Sequence, residues 1–395
     1  MEFINVKLSD IGEVVGGSTP STKNPDNYDG NIAWITPKDL AGYNKVYISR
    51  GERNITKAGF KSCSTKMLPK NSVLFSSRAP IGYVAISEND LCTNQGFKSI
   101  IPNEKVDYKF LYYLLKHNKD YIASKGSGST FKEVSGSVMK GIELSIPKDI
   151  NDQRRISKVL FDIDKKIELN NEINNNLEEQ LRLFFEENIL KKFDDENTYK
   201  CSLYDQFNVI DNRGKTPPLV EYSKYPIIDV KVLSGAERVI NYNNCLKYVD
   251  KETYDTFFRN GHPQLYDTLL STVGSIAELK IYLENIGTIA QNVVALRPKN
   301  DYPLFMYQYI LSLRQRLTSY DIGSVQPSIK VTQFMKEIIK MPNDKELIYK
   351  FENLAKANTL KMKNIMIENR YLEQLRGTLL PKLMNGEIDL DNIEI

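Results

Sequence analysis

The chain has 395 residues, and 53 lysines and arginines against 50 aspartates and glutamates leave it a formal charge of +3. That length calls for at least two domains. So small a net charge excludes binding of polyanions through bulk charge alone, and the lack of any long apolar run excludes a helical membrane span.

Cys63, Cys92, Cys201 and Cys245 form no close pair and no metal-ligand spacing, and the chain opens without an apolar signal segment. A reducing cytoplasm is therefore the expected compartment. His117 is expected to end a helix and His262 to sit in a Gly-His-Pro turn, and neither joins a metal or triad motif. Basic residues outnumber acidic ones 20 to 15 in 1–149, whereas the counts are 8 to 9 in 150–192, 17 to 17 in 193–342 and 8 to 9 in 343–395. A phosphate-facing surface would have to come from segregation of charge.

Residues 1–149 read as a globular module. The short runs 73–75, 83–86 and 97–101 are β-rich and bounded by turn residues, which predicts a mixed, mostly antiparallel sheet. An amphipathic helix over 108–121 packs against it, followed by a glycine-rich loop at 126–130. Trp34 is expected in the core, and Asp39 is expected to cap or ion-pair within the fold.

Residues 152–189 then form one long amphipathic helix, with Ile156, Leu160, Ile163, Ile167, Asn170, Asn174, Leu177, Leu181 and Phe184 at alternating four- and three-residue steps. At 1.5 Å per residue this is a rod of about 55 Å, and its seam needs a partner. After an acidic linker at 193–198 comes a second module, 193–342, with a helix at 304–317 and a loop at 323–328. A second rod over 344–380 carries Ile348, Phe351, Ala355, Asn358, Met362, Ile365, Asn369, Leu372 and Leu379 at the same alternating spacing. Asparagines interrupt both seams: Asn170 and Asn174 in one, Asn358 and Asn369 in the other. A polar seam residue costs stability but fixes register, because a slipped alignment strands its amide.

The two halves repeat. Leu8 and Asp10 correspond to Leu203 and Asp205, Thr19-Pro20 to Thr216-Pro217, residues 35–40 to 228–233, and 73–82 to 268–277 without a gap. Asn94-Gln95 matches Ala290-Gln291, Phe110 and Tyr112 match Phe305 and Tyr307, Pro147 matches Pro342, and Gln180-Leu181-Arg182 matches Gln374-Leu375-Arg376. A register held this closely over a whole half marks duplication. The expected division is 1–149, 150–192, 193–342 and 343–395. The expected fold is α+β, with two similar mixed-sheet domains separated by two long helices that form an antiparallel coiled coil with a pseudo-twofold axis. Such an object suits a twofold target, and rods longer than the roughly 34 Å turn of duplex DNA predict two half-sites with an unread gap.

At this point the chain resembles the specificity subunit of type I restriction-modification systems, from Val6 to about Asp389. The resemblance rests on Gly17-Ser18-Thr19-Pro20, Trp34-Ile35-Thr36-Pro37-Lys38-Asp39-Leu40, Leu74-Phe75-Ser76-Ser77-Arg78 with Ile81-Gly82, and Thr93-Asn94-Gln95-Gly96. Gly128-Ser129-Thr130, Pro147, Gln153-Arg154 and the closing stretch 380–388 complete it. It implies a subunit without chemistry of its own, whose two target-recognition domains each read part of a split DNA sequence. It also implies helices that set the gap and dock two methyltransferase subunits. S-adenosylmethionine would belong to those adenine methyltransferases, and ATP and Mg to a restriction subunit that joins the assembly; no cofactor is expected in this chain. The second half departs from the pattern at Val273-Gly274-Ser275, at Asp229-Val230, and in having no tryptophan beside Ile228.

Base edges are read by Arg, Lys, Asn, Gln, Ser and Thr on loops, and phosphates by Lys, Arg and backbone amides. The candidates in the first module are Thr19, Lys23, Asn24, Lys38, Arg78, Asn94, Gln95, Ser129, Thr130 and Lys132. In the second they are Arg213, Lys215, Thr216, Lys231, Gln291, Asn292, Ser324, Gln326 and Lys330. Asn94-Gln95 and Gln291-Asn292 could equally brace a turn. On the rods, Glu178, Glu179, Glu186 and Glu187 are expected in solvent, and Phe184-Phe185 and Tyr371-Leu372 are expected to dock partner subunits. An enzyme is disfavoured: Asn24-Pro25-Asp26-Asn27-Tyr28 superficially resembles the adenine-methyltransferase tetrapeptide but has no cofactor loop upstream. The remaining alternative is a non-catalytic coiled-coil scaffold whose two heads bind proteins.

Overall fold

The computed structural model describes residues 1–78, 80–128, 132–194, 196–323 and 326–388. Two compact units emerge, one formed by residues 1–169 with 369 onward, the other by residues 170–368. Each holds one sheet-based head and one stretch of each long helix.

In the first unit the strand Phe3–Lys7 lies antiparallel to Glu143–Pro147, with Phe3 opposite Pro147, so the start of the head is tied to its last strand. The main sheet runs Gly12–Gly16, Lys98–Pro102, Val73–Phe75, Val84–Ser87 and Tyr47–Ile48; only the last pairing is parallel. A small parallel pair, Trp34–Ile35 with Cys92–Thr93, stands beside it. The second unit repeats the plan. Thr198–Ser202 pairs antiparallel with Ile338–Pro342, and the sheet runs Phe207–Ile210, Val293–Pro298, Thr268–Ser271 and Leu279–Ile281. Val239 bridges in parallel to Ile281 where the fifth strand stands in the first head. Ile227–Ile228 and Thr288–Ile289 make the small parallel pair.

The expected strands lie within a residue of their places. The helix expected over 108–121 is broken into Tyr108–His117 and Lys119–Ser124, because Asn118 leaves helical geometry and its amide donates to the Leu114 carbonyl at 2.9 Å. His117 ends the first piece. The helix expected over 304–317 is likewise split into Pro303–Ser312 and Arg314–Thr318.

The long helices span Ile150–Asn188 and Lys345–Met384. Within each unit their stretches pair antiparallel, since residue numbers fall along one as they rise along the other. In the first unit Ile156 and Leu160 share a buried cluster with Leu383 and Met384, and Asp164 bonds Arg376. In the second, Asn170 donates to Glu368 at 2.8 Å, Asn358 donates to Gln180 at 2.9 Å, and Phe184 and Phe185 meet Phe351. Each seam is sealed by its head: Phe110 to Leu115 join the cluster of Ile156 and Leu160, and Phe305 and Tyr309 that of Phe185.

Two expectations for the rods are corrected. Phe185 is fully buried among Phe305, Tyr309 and Phe351, and Phe184 is half-buried against Phe351, so this pair is head–helix core and offers no docking surface. Glu178 is not merely solvated, because it is the ion-pair partner of the buried Arg238. Glu179 and the half-buried Glu186 flank the exposed Arg182, and Glu187 pairs with Lys191 in solvent; Tyr371 is exposed as well. Among the described residues no helix is long and apolar enough to cross a membrane, and no group of three or more His, Cys, Asp or Glu is arranged to hold a metal ion.

Candidate nucleic-acid interface

In the first head, backbone hydrogen bonds lace five segments side by side at one end of the strands. Ser18 donates to the Thr93 carbonyl at 3.0 Å, Asn94 to Ile35 at 3.0 Å, Ser77 to Gly96 at 2.8 Å and Val134 to Ser77 at 2.9 Å. Gly17 makes the first contact possible: a Cβ there would stand 2.1 Å from the Asn94 carbonyl oxygen and 2.2 Å from that of Thr93. The buried Trp34 pins the same loop by donating its Nε1 to the Ser18 carbonyl at 3.1 Å. Asp39 accepts from the Thr36 and Glu52 amides, each at 2.7 Å, and so acts within the fold.

This lacing gathers several candidates. Thr19 donates to the Gln95 side chain, and Asn94 Oδ1 accepts from the Gly96 amide at 2.9 Å, so Asn94 does brace its turn. Arg78 meets Glu133 at 2.6 Å, and Glu133 also lies 3.5 Å from Lys98. The Arg78 guanidinium, hydrogen-bonded to it, holds the Glu133 carboxyl below its usual range. Lys132 is exposed beside them. Lys38 pairs with Glu52 at 2.7 Å in solvent. Lys23 and Asn24 are exposed farther along, where Asn24 caps the turn at Asp26. Ser129 and Thr130 lie outside the described residues.

The second head rebuilds this framework. Thr272 donates to Asn292 at 2.9 Å, Ile329 to Thr272 at 2.8 Å and Ala290 to Ile228 at 2.9 Å. Gln291 Nε2 lies 3.4 Å from Thr216 Oγ1, the counterpart of the Thr19 to Gln95 contact. The turn beneath also matches: Ser76 Oγ donates to the Pro80 carbonyl and accepts from the Tyr83 amide, each at 2.8 Å, as Ser271 Oγ does with Ser275 at 2.6 Å and Glu278 at 2.8 Å.

The side chains on this framework differ. Val273 and Ser328 stand where the first head has Arg78 and Glu133 and, like them, are bridged to each other. Arg213 is folded onto Asp211 at 2.8 Å, while Lys215, Lys231, Gln326 and Lys330 are exposed. The Asn292 Oδ1 is buried without a hydrogen-bond partner. Ser324 lies outside the described residues.

Glu133 and Lys98 had no signal in the sequence that would set them apart from ordinary surface charges. Their role follows only from the pairing of Glu133 with Arg78 and of Val134 with Ser77. Of the interrupting asparagines, Asn170 and Asn358 face Glu368 and Gln180, Asn369 is buried, and Asn174 is half-buried with its Oδ1 unpartnered.

Known proteins share this construction. The family described as Type I restriction modification DNA specificity domain matches residues 2–179. The type I restriction enzyme MjaIX specificity subunit of Methanocaldococcus jannaschii is 32% identical over 411 residues, covering 98% of this chain and 94% of that one. The EcoR124I/EcoR124II specificity subunit of Escherichia coli is 29% identical over 183 residues, 45% of this chain and 44% of that one. The crystal structure of the type I system S subunit from M. genitalium superposes with a TM-score of 0.62 at 18% identity over 97% of this chain and 96% of that one, which establishes likeness of fold. With a relative matched at this identity from end to end, the chain belongs to the family of type I restriction enzyme specificity subunits, components that specify a target rather than catalyse.

Proposed function

We propose that this chain, in the cytoplasm, reads a bipartite DNA target, with one head for each half-site, and that its long helices set the gap and dock two adenine methyltransferase subunits. Those subunits supply S-adenosylmethionine and the chemistry. A restriction subunit using ATP and Mg is a further partner of the same assembly.

One observation carries the reading: the two heads share backbone hydrogen bonds at three matching positions and carry different side chains on that frame. A shared frame keeps register on the phosphate backbone, while the exchanged side chains alter what is read at base edges. Arg78 against Val273, Asn94 against Ala290 and Gly96 against Asn292 are such exchanges. A helix of 39 residues is about 58 Å long, more than one turn of duplex, which fits a target with unread base pairs between its halves.

The test is a footprint of the chain in complex with its methyltransferase. Two protected patches separated by unprotected base pairs are expected. Replacing residues 1–149 by the corresponding head of a relative should change one patch and leave the other. A change in both, or a single undivided patch, overturns the reading.

A further inference from the structure

Arg238 is the largest fully buried side chain among the described residues. Its backbone belongs to the sheet of the second head, where the Ile281 amide donates to its carbonyl at 2.8 Å and the next residue, Val239, bridges to Ile281. Its guanidinium leaves the sheet and joins three other elements. Nε and Nη2 meet the two carboxylate oxygens of Glu178 on the first long helix at 2.6 and 2.8 Å. Nη2 also donates to Gln308 Oε1 on the head helix at 2.9 Å, and Nη1 to Thr359 Oγ1 on the second long helix at 3.3 Å. The ring of Tyr307 lies 5.1 Å below the cation. One planar group thus fixes head, head helix and both rods in a single geometry.

Packing does not do this alone. A cleft of about 450 Å³ opens beside the arginine, with Phe185, Val239, Leu311 and Met362 on its walls, so close apolar contact is interrupted at this seam. Apolar contacts are also non-directional, whereas a forked guanidinium–carboxylate pair tolerates little rotation.

The first unit has a junction at the corresponding place, made from other residues. Tyr113, which corresponds to Gln308, donates to Asp164 at 2.7 Å, and Asp164, which corresponds to Thr359, bonds Arg376 of the second rod. The head strand is held there by Glu168, which accepts from the Val46 amide at 2.8 Å; the Val46 carbonyl in turn accepts from Ile86 as that of Arg238 does from Ile281. Both heads are therefore locked to their helices by buried polar groups where a greasy contact would give adhesion.

We propose that Arg238 and Glu178 are positioning residues for half-site spacing: by fixing the angle of the second head on its stretch of the helix pair, they restrict the complex to one gap length. This rests on the divided-target reading above. One base pair more or less moves a half-site by about 3.4 Å and turns it by roughly 35°, a displacement that a locked head resists and a loosened one follows.

The experiment uses the full chain with its methyltransferase. Methylation is measured on duplexes carrying the native target and on targets with one base pair added to or removed from the gap. The paired change Arg238→Met with Glu178→Met replaces the ion pair by apolar groups of similar length, which commonly keeps stability. The expected result is a melting temperature close to wild type, unchanged base preference within each half-site, and a loss of about tenfold in discrimination between gap lengths. Arg238→Lys, which keeps the charge but loses the fork, should lose part of it. Should the paired variant not fold, Glu178→Gln, which keeps one acceptor, carries the same expectation in weaker form. A folded variant that discriminates gap lengths as wild type does overturns the proposal. If wild type itself reads an undivided site, it is the divided-target reading that falls.

Discussion

The carboxylate of Glu352, on the second long helix, accepts a hydrogen bond from the backbone amide of Phe305 at 2.8 Å and so closes the first turn of the helix Pro303–Ser312. In the first head Asp107 does this as the helix's own N-cap, accepting from Lys109 at 3.1 Å and Phe110 at 2.9 Å, with Ser157 Oγ donating to it at 3.1 Å. In the second head the capping acceptor lies on the long helix instead. Tyr302 stands where Asp107 does and offers no cap, while Glu352 stands where Ser157 does and provides the carboxylate. A helix start left without any acceptor would strand buried amides, which explains why the second change accompanies the first.

That exchange has a pH signature. Burial pushes the Glu352 carboxyl up to about 7 from an ordinary 4.5, partly offset by the Phe305 amide. Between those values the folded chain holds the proton more tightly than the unfolded one, so this group's stabilisation is complete below the ordinary value and is lost as the pH rises through about 7. Thermal melts at pH 5 and pH 8 should show wild type losing more stability than Glu352→Gln, by up to roughly 3 kcal/mol. Equal losses in the two proteins would refute it.

Gly17 is expected to be irreplaceable in the first head. Alanine there would drive a methyl into the Thr93 and Asn94 carbonyls and separate the loops that carry Thr19 and Gln95. Gly17→Ala should cost about 1–3 kcal/mol of stability. In a footprint it should erase the patch of the first head and spare the other.

Arg78 and Val273 occupy matching positions and make a paired control. Removing the guanidinium with Arg78→Ala should weaken binding of specific DNA by the 1–3 kcal/mol typical of one good arginine contact. Val273→Ala should leave affinity unaltered. Titration of each variant with labelled duplex decides the matter, and equal effects at the two positions would remove Arg78 from the interface.

Much of the architecture could be read from the chain alone. Heptad spacing around Ile156 and Leu160, and around Ile348 and Phe351, marks both long helices, because helical periodicity is a local property that residues three and four apart reveal directly. Short β-rich runs such as 73–75 are equally local. The seam was less legible at Phe184-Phe185: the heptad count favours Phe184, yet Phe185 is the buried one, because it turns toward Phe305 of the head as well as Phe351 of the partner helix. A two-helix pattern cannot anticipate a third element packed on the seam.

By itself the sequence determined the duplication, the two rods, the family and the loops that bear the candidate DNA-reading residues. Tertiary structure alone decided which charges are spent inside the protein: Glu133 on Arg78, Glu178 on Arg238, and Glu352 on the Phe305 amide. These partners lie between 47 and 60 residues apart along the chain, at no recurring interval. The physical reason is that an ion pair or a borrowed cap depends only on which groups folding brings within about 3 Å, and no local period of the chain encodes that distance.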